Sequence, residues 1–244
     1  MSSPRVSIII PCYNAERTLD ACLHSVFSQD YAHIDVLIID GGSNPATLSI
    51  IRDHSNQLFY WTSEADKGVY DAINKGIAQA RGEYIYILGA DDQLASRHVV
   101  STMMKAAHND TDIVYGMVEN KEATNRFVPS VHHCKFDRTL YWKNSLHQQG
   151  VFYHRSLFHS FRFRIQFKVL ADYDFHLHLL YYEVNSVEVN CTVALCEAQG
   201  LSKQFARELY KEEWAIKKER LPFFYLIANA IWIPIKFFLK KIGN

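Results

Sequence analysis

Apolar runs alternate with segments of helical spacing over the first hundred residues, and this alternation is the strongest constraint on the fold. The runs at 6–10, 34–39, 58–62 and 84–88 are rich in β-branched or aromatic residues. Runs of this kind are typical of strands in a parallel sheet, and Pro11 is expected to end the first one. Strands alternating with helices predict an α/β fold with a doubly wound, mainly parallel sheet.

The segments between and after these strands carry apolar residues at helical spacing. Helices are predicted at 15–28, 46–53, 69–81 and about 96–107. Gly82 fits the C-cap of the third helix. The second part of the chain is less regular and predicts a smaller, mixed half. Its expected strands are 112–118, 126–129 and 187–195, and the segments 146–159 and 172–183 are expected to be helical at least in part.

Residues 203–244 differ in charge from the rest of the chain. They contain nine basic and four acidic residues, a net charge of +5, whereas residues 1–202 carry −5. We expect residues 1–202 to form the main domain and residues 203–244 to form a basic, amphipathic helical tail. Such a tail predicts an anionic partner.

The tail contains an uncharged stretch, 221–235, that would span roughly 22 Å as a helix, less than the roughly 30 Å hydrocarbon core of a bilayer. Trp232 and the phenylalanines suit a membrane interface, and three lysines suit anionic headgroups: Lys236, Lys240 and Lys241. Asn229 and Tyr225 lie near the lysines on one helical face. The pattern favours a helix in the plane of the membrane. A helix packed on the main domain, a dimer contact and a full span are the alternatives.

Five cysteines are present, without a CxxC pair, and their odd number favours a reduced, cytosolic environment. The chain enters its first strand pattern directly after MSSPR, so no cleaved signal peptide is expected. Together with the tail, these features predict a peripheral protein on the cytoplasmic face of a membrane. No nucleic-acid partner is expected.

Polar clusters follow three of the predicted strands, at 11–14, 40–43 and 89–92. In open parallel sheets, ligands bind beyond the carboxyl ends of the strands. The three clusters should therefore converge on one crevice.

The cluster after the fourth strand contains two adjacent carboxylates, Asp91 and Asp92. Like charges side by side repel unless a cation neutralises them. Hard cations such as Mg²⁺ or Mn²⁺ bind carboxylate oxygens and bridge them to phosphates. The alternative is structural, with Asp92 or Ser96 capping the next helix.

Several motifs occur together with this carboxylate pair. The segments VSIIIPCYNAERTLDACLHSVFSQDY, DVLIIDGGS and SEADKGVYDAINKGIAQARGEYIYILGADD resemble family 2 glycosyltransferases of the GT-A fold over about residues 5–110. A weaker resemblance runs through HQQGVFYHRSLF and VLADYDFHLHL to about residue 202. The segment EADKGVYDAINKG resembles the bacterial branch that builds surface polysaccharides, such as colanic-acid-type enzymes.

The family transfers sugars from nucleotide donors, and the resemblance implies which residues of this chain bind the donor. The loop enclosing the nucleotide would carry Pro11, Tyr13, Asn14 and Glu16. Asp40, after the second strand, would hydrogen-bond the uracil or ribose. The nucleotide-sugar cleft would be lined by Asp66, Lys67 and Gly68.

The resemblance also implies a metal site. Asp91 and Asp92 match the region that holds Mn²⁺ or Mg²⁺ on the donor diphosphate, and Asp91 is the favoured ligand. The family often reads DxDD there, whereas this chain has Gly89 at the first position.

An inverting transfer needs a base that deprotonates the acceptor hydroxyl. The family uses the Asp of an ED motif, which matches Asp172 here, with Ala171 in place of Glu. Asp174 is the alternative base, and helix capping is the structural alternative for Asp172. The HQ stretch near the acceptor implies that His147 or Gln149 contacts the donor sugar or the acceptor.

The expected function is an inverting, metal-dependent transfer of one sugar from a UDP-sugar to a lipid-linked saccharide at the cytoplasmic face of the bacterial inner membrane. A single transfer per encounter is expected because the QxxRW motif of processive synthases is absent from the sequence. One alternative is a sugar nucleotidyltransferase, which would need a glycine-rich phosphate loop where this chain has PCYNAER. The other is a membrane-tethered saccharide-binding subunit without turnover.

Overall fold

The structure is a computed structural model that describes residues 3–121, 130–197 and 206–242. The predicted strand at 126–129 lies outside these residues. The strands are β1 Val6–Cys12, β2 Ile34–Asp40, β3 Tyr60–Ser63, β4 Tyr84–Ile87, β5 Gln93–Leu94, β6 Ile113–Asn120, β7 Val131–His132, β8 Val151–His154 and β9 Ser186–Cys196. The helices are α1 Leu19–Phe27, α2 Pro45–Asp53, α3 Val69–Gln79, α4 Val99–Ala106, α5 Leu157–Ser160, α6 Ala171–Tyr181, α7 Ala206–Arg220 and α8 Phe223–Ile242.

Within the described residues, nine strands form one sheet in the order β3-β2-β1-β4-β8-β6-β9-β5, with β7 paired to β6. The first four strands in this order are parallel. Strand β8 is antiparallel to both β4 and β6. The predicted α/β fold with a mainly parallel sheet and a smaller mixed half is therefore confirmed.

Strand β1 continues past Pro11 to Cys12, contrary to the prediction that Pro11 ends it. Pro11 pairs with Ile39 of β2. The register between β1 and β4 reaches only Ile9, whose carbonyl accepts from the Leu88 amide. Alternate residues of a strand face the same neighbour, so Pro11 faces the β4 side beyond the end of the pairing. Its missing N–H costs no ladder hydrogen bond there.

The segment 146–159 is helical only in part, as predicted, but it also contains a strand that was not predicted. It contains a single 3-10 turn at Gln148–Gly150, the strand β8 and the first part of α5. Val151, Phe152 and Tyr153 are fully buried between β4 and β6. Burial on both faces of the sheet explains the apolar run and decides against a helix.

The two faces of the sheet carry separate apolar layers. One layer joins Ile9, Ile39 and Ile85 to residues of α3 and α6. The other joins Ile8 and Ile38 to residues of α1 and α4. This arrangement is that of a doubly wound sheet, with helices covering both faces.

The tail is packed more closely on the rest of the chain than its sequence indicated. Ile216 of α7 is fully buried in the same apolar layer as α6. Asn229 of α8 is fully buried, donates to the Tyr141 carbonyl at 3.1 Å and accepts from Lys217 Nζ at 2.7 Å. The polar face expected to meet headgroups thus packs inward at Asn229. That residues 203–244 form a separate unit stays a prediction.

The opposite side of α8 is apolar and exposed. Phe223 and Phe224 are each 77% exposed, and Ile231 is 65% exposed. None of the described helices combines the length and the apolar character that crossing a bilayer requires.

Candidate active site

The carboxyl ends of β1, β2 and β4 lie side by side at one edge of the sheet. Cys12 pairs with Asp40, and the Gly41 amide donates to the Cys12 carbonyl at 2.9 Å. The Leu88 amide donates to the Ile9 carbonyl at 3.0 Å. The three polar clusters predicted from the strand ends are therefore adjacent.

The loop after β1 is bound to the loop after β2. Asn14 has a positive φ of 49°, and its amide donates to Ser43 Oγ at 2.7 Å. Asn14 Oδ1 accepts from the Asn44 amide at 2.9 Å, and Glu16 Oε2 accepts from Asn44 Nδ2 at 3.0 Å. Tyr13 is 66% exposed above this junction. The loop is thus held in place with Tyr13 accessible to a ligand.

Asp40 lies below the crevice, with no exposed surface. Its carboxylate accepts from the Gly42 amide, the Ser43 amide and hydroxyl, and the Ser63 hydroxyl. Both carboxylate oxygens of Asp40 therefore already accept hydrogen bonds from residues of β3 and of the loop after β2. Direct contact with a uracil or ribose, as the resemblance implies, would require that one of these bonds be exchanged.

The loop after β3 closes over the loop after β2. A Cβ atom added to Gly41 would lie 2.5 Å from Asp66 Oδ2, and Asp66 Oδ1 accepts from the Gly68 amide at 2.8 Å. A cavity of about 400 Å³ opens beside this loop. Its lining includes Asp66, Lys67, Gly68, Tyr70, Phe167 and Lys168. The predicted cleft residues therefore do line a cavity.

The carboxylates of Asp91 and Asp92 fold over Gly89. A Cβ atom at Gly89 would lie 2.7 Å from Asp91 Oδ1 and 2.7 Å from Asp92 Oδ2. Asp91 is exposed, while Asp92 is 4% exposed. Burial, followed by the charge of Asp91, raises the pKa of Asp92 to about 7. A side chain at position 89 would therefore displace the two carboxylates from their present positions.

This pair suits a hard divalent cation. Burial and then the neighbouring charge of Asp91 disfavour the ionised form of Asp92, and a bound cation would offset both costs. Two carboxylates leave most coordination positions of such an ion to phosphate and water oxygens, as is usual for Mg²⁺. Among the described residues, no group of three or more metal-ligating side chains exists, so phosphate would have to complete the site.

Asp92 accepts hydrogen bonds from two other parts of the chain, and it does not cap the next helix. Gln149 Nε2 donates to Asp92 Oδ2 at 3.0 Å, and the Glu197 amide donates to Oδ1 at 3.2 Å. The next helix begins after His98, whose amide lies 3.3 Å from Ser96 Oγ. Gln149 therefore lies beside the carboxylate pair.

His147 and Gln149 are both partly exposed. Burial, and then the nearby His132, lower the pKa of His147 to about 4, so its imidazole is neutral. Its Nδ1 atom is buried with no hydrogen-bond partner in the protein. The structure favours Gln149 of the two as the residue nearest the carboxylates.

Asp172 lies in the first turn of α6, partly exposed. Tyr70 Oη is 3.1 Å from Asp172 Oδ1, and Asn144 Nδ2 is 3.3 Å from Oδ2. The N-cap of α6 is Leu170, with no side-chain cap bond, so Asp172 is not the helix cap. Burial raises the pKa of Asp172, although hydrogen bonds from the Tyr173 amide, Tyr70 and Asn144 oppose this.

Asp174 has a structural environment that does not suit the alternative base. It has no exposed surface and accepts from two arginines. Arg164 donates through Nε at 2.8 Å and Nη2 at 2.6 Å, and Arg220 donates through Nε at 2.8 Å. Both carboxylate oxygens of Asp174 thus accept from arginines, and the group is remote from solvent and from any acceptor hydroxyl.

Three residues around Asp172 are not indicated by the sequence. Tyr70 lies inside the segment DKGVYDAINKG, where helical spacing explains it as a core residue. Asn144 precedes the HQ stretch in an irregular loop, and Glu212 lies in the tail. Their partners are distant in the chain, and a single sequence carries no signal for such pairs.

The sheet and the carboxylate pair at a strand end are the arrangement expected of a glycosyltransferase of the GT-A fold. The family model "Glycosyl transferase family 2" matches residues 7–185. The chain belongs to this family.

Two curated relatives are similar to the chain. A PGL/p-HBAD biosynthesis glycosyltransferase of Mycobacterium bovis is 34% identical over 186 residues, covering 72% of this chain and 70% of the relative. The UDP-Glc:alpha-D-GlcNAc-diphosphoundecaprenol beta-1,3-glucosyltransferase WfgD of Escherichia coli is 27% identical over 245 residues, covering 95% of this chain and 94% of WfgD.

Solved structures share the fold. TarS 1–349 of S. aureus in complex with UDP-GlcNAc has a TM-score of 0.70 at 18% identity, covering 87% of this chain and 65% of TarS 1–349. This chain spans 39% of the longer TarS structure. Glucosyl-3-phosphoglycerate synthase of Mycobacterium tuberculosis, solved with Mn²⁺, UDP and phosphoglyceric acid, has a TM-score of 0.62 at 13% identity. The match covers 89% of this chain and 78% of the synthase. The predicted GT-A fold is confirmed.

Proposed function

We propose that the protein is an inverting, divalent-metal-dependent transferase that moves one sugar from a UDP-sugar to a lipid-linked saccharide. The observation that carries the proposal is the position of Tyr70. Tyr70 lines the cavity beside Asp66, Lys67 and Gly68, and its hydroxyl lies 3.1 Å from Asp172. The cleft residues and the candidate base are thus joined by one side chain.

We propose that the donor lies along the strand-end edge. Tyr13 and the loop around Asn14 would cover the nucleotide, while Pro11 and Asp40 shape the floor beneath it. Asp91 and Asp92 would hold Mn²⁺ or Mg²⁺ on the diphosphate, where the cation neutralises negative charge and stabilises the departing UDP. The glucosyl-3-phosphoglycerate synthase of Mycobacterium tuberculosis was solved with both Mn²⁺ and UDP, which supports this choice.

Asp172 would act as the general base. Its carboxylate takes the proton of the acceptor hydroxyl while the hydroxyl oxygen forms the new bond to the anomeric carbon, and the bond to the UDP oxygen breaks on the opposite face. Burial raises the pKa of Asp172, which makes it a better proton acceptor. Gln149 would orient Asp92 by its hydrogen bond, and His147 would support the same loop from two residues earlier in the chain.

The membrane is the proposed location of the acceptor. The full name of WfgD gives a diphosphoundecaprenol-linked sugar as its substrate. The exposed side of α8 carries phenylalanines, Ile231 and Trp232, which suit shallow burial in a membrane interface. A peripheral contact of α8 with the cytoplasmic membrane surface would bring the active site to such an acceptor.

Calorimetry with UDP tests the donor and metal assignment. We expect UDP to bind with Mn²⁺ and to lose about tenfold or more in affinity with EDTA or in Asp91→Ala, because the diphosphate charge is then uncompensated. Asp110→Ala, in an exposed loop, is the matched control. Equal affinity in all four samples would exclude the metal role of Asp91.

Turnover separates the proposal from a binding subunit. With Mn²⁺ and a panel of UDP-sugars, we expect at least slow hydrolysis of one donor, and transfer when a lipid-linked saccharide is added. UDP binding without hydrolysis or transfer of any donor would favour the saccharide-binding alternative.

A further inference from the structure

One side of α7 contacts the part of the chain that carries the candidate base. Glu212, Ile216 and Arg220 are spaced four residues apart and so share one side of the helix. Ile216 is fully buried in the apolar layer that includes α6. Arg220 donates to Asp174 in the first turn of α6. Helix α7 therefore packs against the beginning of α6.

Glu212 makes the most specific of these contacts. Its Oε1 accepts from the Lys168 amide at 2.6 Å, and its Oε2 accepts from the Val169 and Leu170 amides at 3.0 and 2.9 Å. These three amides directly precede α6, where the helix leaves N–H groups without partners and where negative charge is favourable. Glu212 therefore fixes the backbone at 168–170.

That backbone is connected to Asp172 through Tyr70. The Tyr70 hydroxyl oxygen lies 2.9 Å from the Val169 carbonyl and 3.1 Å from Asp172 Oδ1. A phenol has one proton to donate. The position of the Val169 carbonyl therefore determines how strongly Tyr70 hydrogen-bonds to Asp172.

We propose that Glu212 is a positioning residue for Asp172: by fixing Val169, it keeps the Tyr70 proton shared and leaves the carboxylate basic. This inference rests on the proposed function. It gives the tail a role in the reaction itself, in addition to any contact with a membrane.

The groups around Asp172 determine whether its pKa rises or falls when Glu212 is replaced. Tyr70 faces it from α3, Asn144 from the preceding loop and Tyr153 from β8. The Tyr70 hydrogen bond lowers the pKa of Asp172, and the charge of Glu212 reaches Tyr70. Charged side chains in the adjoining cavity are Asp66, Lys67, Asp71 and Lys168, which sum to zero.

Replacing Glu212 should make Asp172 a weaker base. With the Val169 carbonyl released, Tyr70 donates fully to Asp172, and the loss of a negative charge nearby acts in the same direction. Both effects lower the pKa of Asp172. The acid limb of the kcat/KM profile for transfer should therefore move to lower pH, while the plateau falls.

The test compares Glu212→Gln with Glu208→Gln in the full chain. Glu208 is exposed on the same helix, so its variant removes the same charge without touching α6. In Glu212→Gln we expect a plateau about tenfold lower and an acid limb about half a pH unit lower. Glu208→Gln should match the wild type. The inference would be overturned if the normalised pH profiles of Glu212→Gln and the wild type superimpose. It would also be overturned if the acid limb shifts equally in Glu208→Gln.

Tyr70→Phe tests the same link if Glu212→Gln does not fold. Removing the hydroxyl takes away a hydrogen bond that lowers the pKa of Asp172, so the acid limb should move to higher pH, opposite to the effect of Glu212→Gln. A shift in the same direction would count against the inference. If Asp172→Asn retains transfer, the assignment of the base fails. If Asp172→Asn is inactive but Glu212→Gln behaves like the wild type, only the role of Glu212 fails.

Discussion

The donor side of the sheet and the surroundings of Asp172 are built in different ways. On the donor side, consecutive strands β1 and β2 place their following loops against each other, as the pairing of Cys12 with Asp40 shows. Asp172, in contrast, is held by Tyr70, 102 residues away in the chain, and the start of its helix is held by Glu212, 42 residues beyond Leu170. Local motifs therefore set the donor side, and long-range contacts set the candidate base.

The largest expected effect is on the chemical step. We predict that Asp172→Asn lowers transfer by about 10²–10⁴-fold, because the amide keeps the shape but does not accept a proton at neutral pH. UDP affinity measured by calorimetry should stay close to that of the wild type. Asp110→Asn, an exposed aspartate, should leave transfer unchanged. Transfer within a few-fold of the wild type would move the base elsewhere.

Substitution of Asp174 should lower the stability of the protein rather than the rate of the chemical step. Asp174→Asn removes the carboxylate that Arg164 and Arg220 share, so Arg164 retains only Glu219 and Arg220 loses its ion pair. We expect a loss of about 2–3 kcal/mol in the free energy of unfolding, less than for a fully buried pair because both arginines are partly exposed. Urea unfolding measures this.

The control for Asp174 is an exposed ion pair on the donor side. Glu64 is 58% exposed and pairs with Lys75 at 2.8 Å. Glu64→Gln should cost less than about 1 kcal/mol. Equal losses in the two variants would mean that Asp174 contributes no more than a surface pair, and the contrast between the two aspartates of α6 would fail.

Removal of residues 222–244 is expected to have the smallest effect on the rest of the protein. The truncated protein should no longer float with anionic liposomes, but it should keep UDP-sugar hydrolysis. Its stability should fall by about 1–2 kcal/mol, since buried Lys217 loses the Asn229 oxygen while keeping Glu213 and the Trp142 carbonyl.

Salt and aggregation give further information on the tail. High salt should weaken flotation of the full chain without abolishing it, because apolar burial remains. Equal flotation of the truncated protein would place the membrane contact elsewhere. Aggregation with loss of hydrolysis would show that α8 belongs to the folded core.

The donor side could be predicted from the sequence because periodicity and strand ends determine it. The runs at 6–10 and 84–88 indicate parallel strands, and the edge to which Asp40 and Asp91 belong follows from the direction of those strands. The prediction failed for β8, where an apolar run next to polar residues was interpreted as partly helical. Burial of Val151 and Phe152 between two strands is a tertiary property that a short run does not reveal.

The surroundings of Asp172 could be predicted only in part. The resemblance identified Asp172 itself, but not Tyr70 or Glu212, because each has an ordinary explanation within its own helix. Tyr70 fits the apolar side of α3, and Glu212 fits a charged tail helix. Their contacts with the start of α6 depend on how distant helices pack, and one sequence does not encode that in any local pattern.

The two ends of the sheet have a consequence for how the protein behaves when it is concentrated. The end strands are β3, with four residues, and β5, with two. Long, exposed end strands offer unpaired backbone groups on which another chain can build an intermolecular sheet, and short ones offer few. Although the inner strands are rich in Ile, Val and Leu, β3 and β5 themselves therefore offer few backbone groups to a second chain.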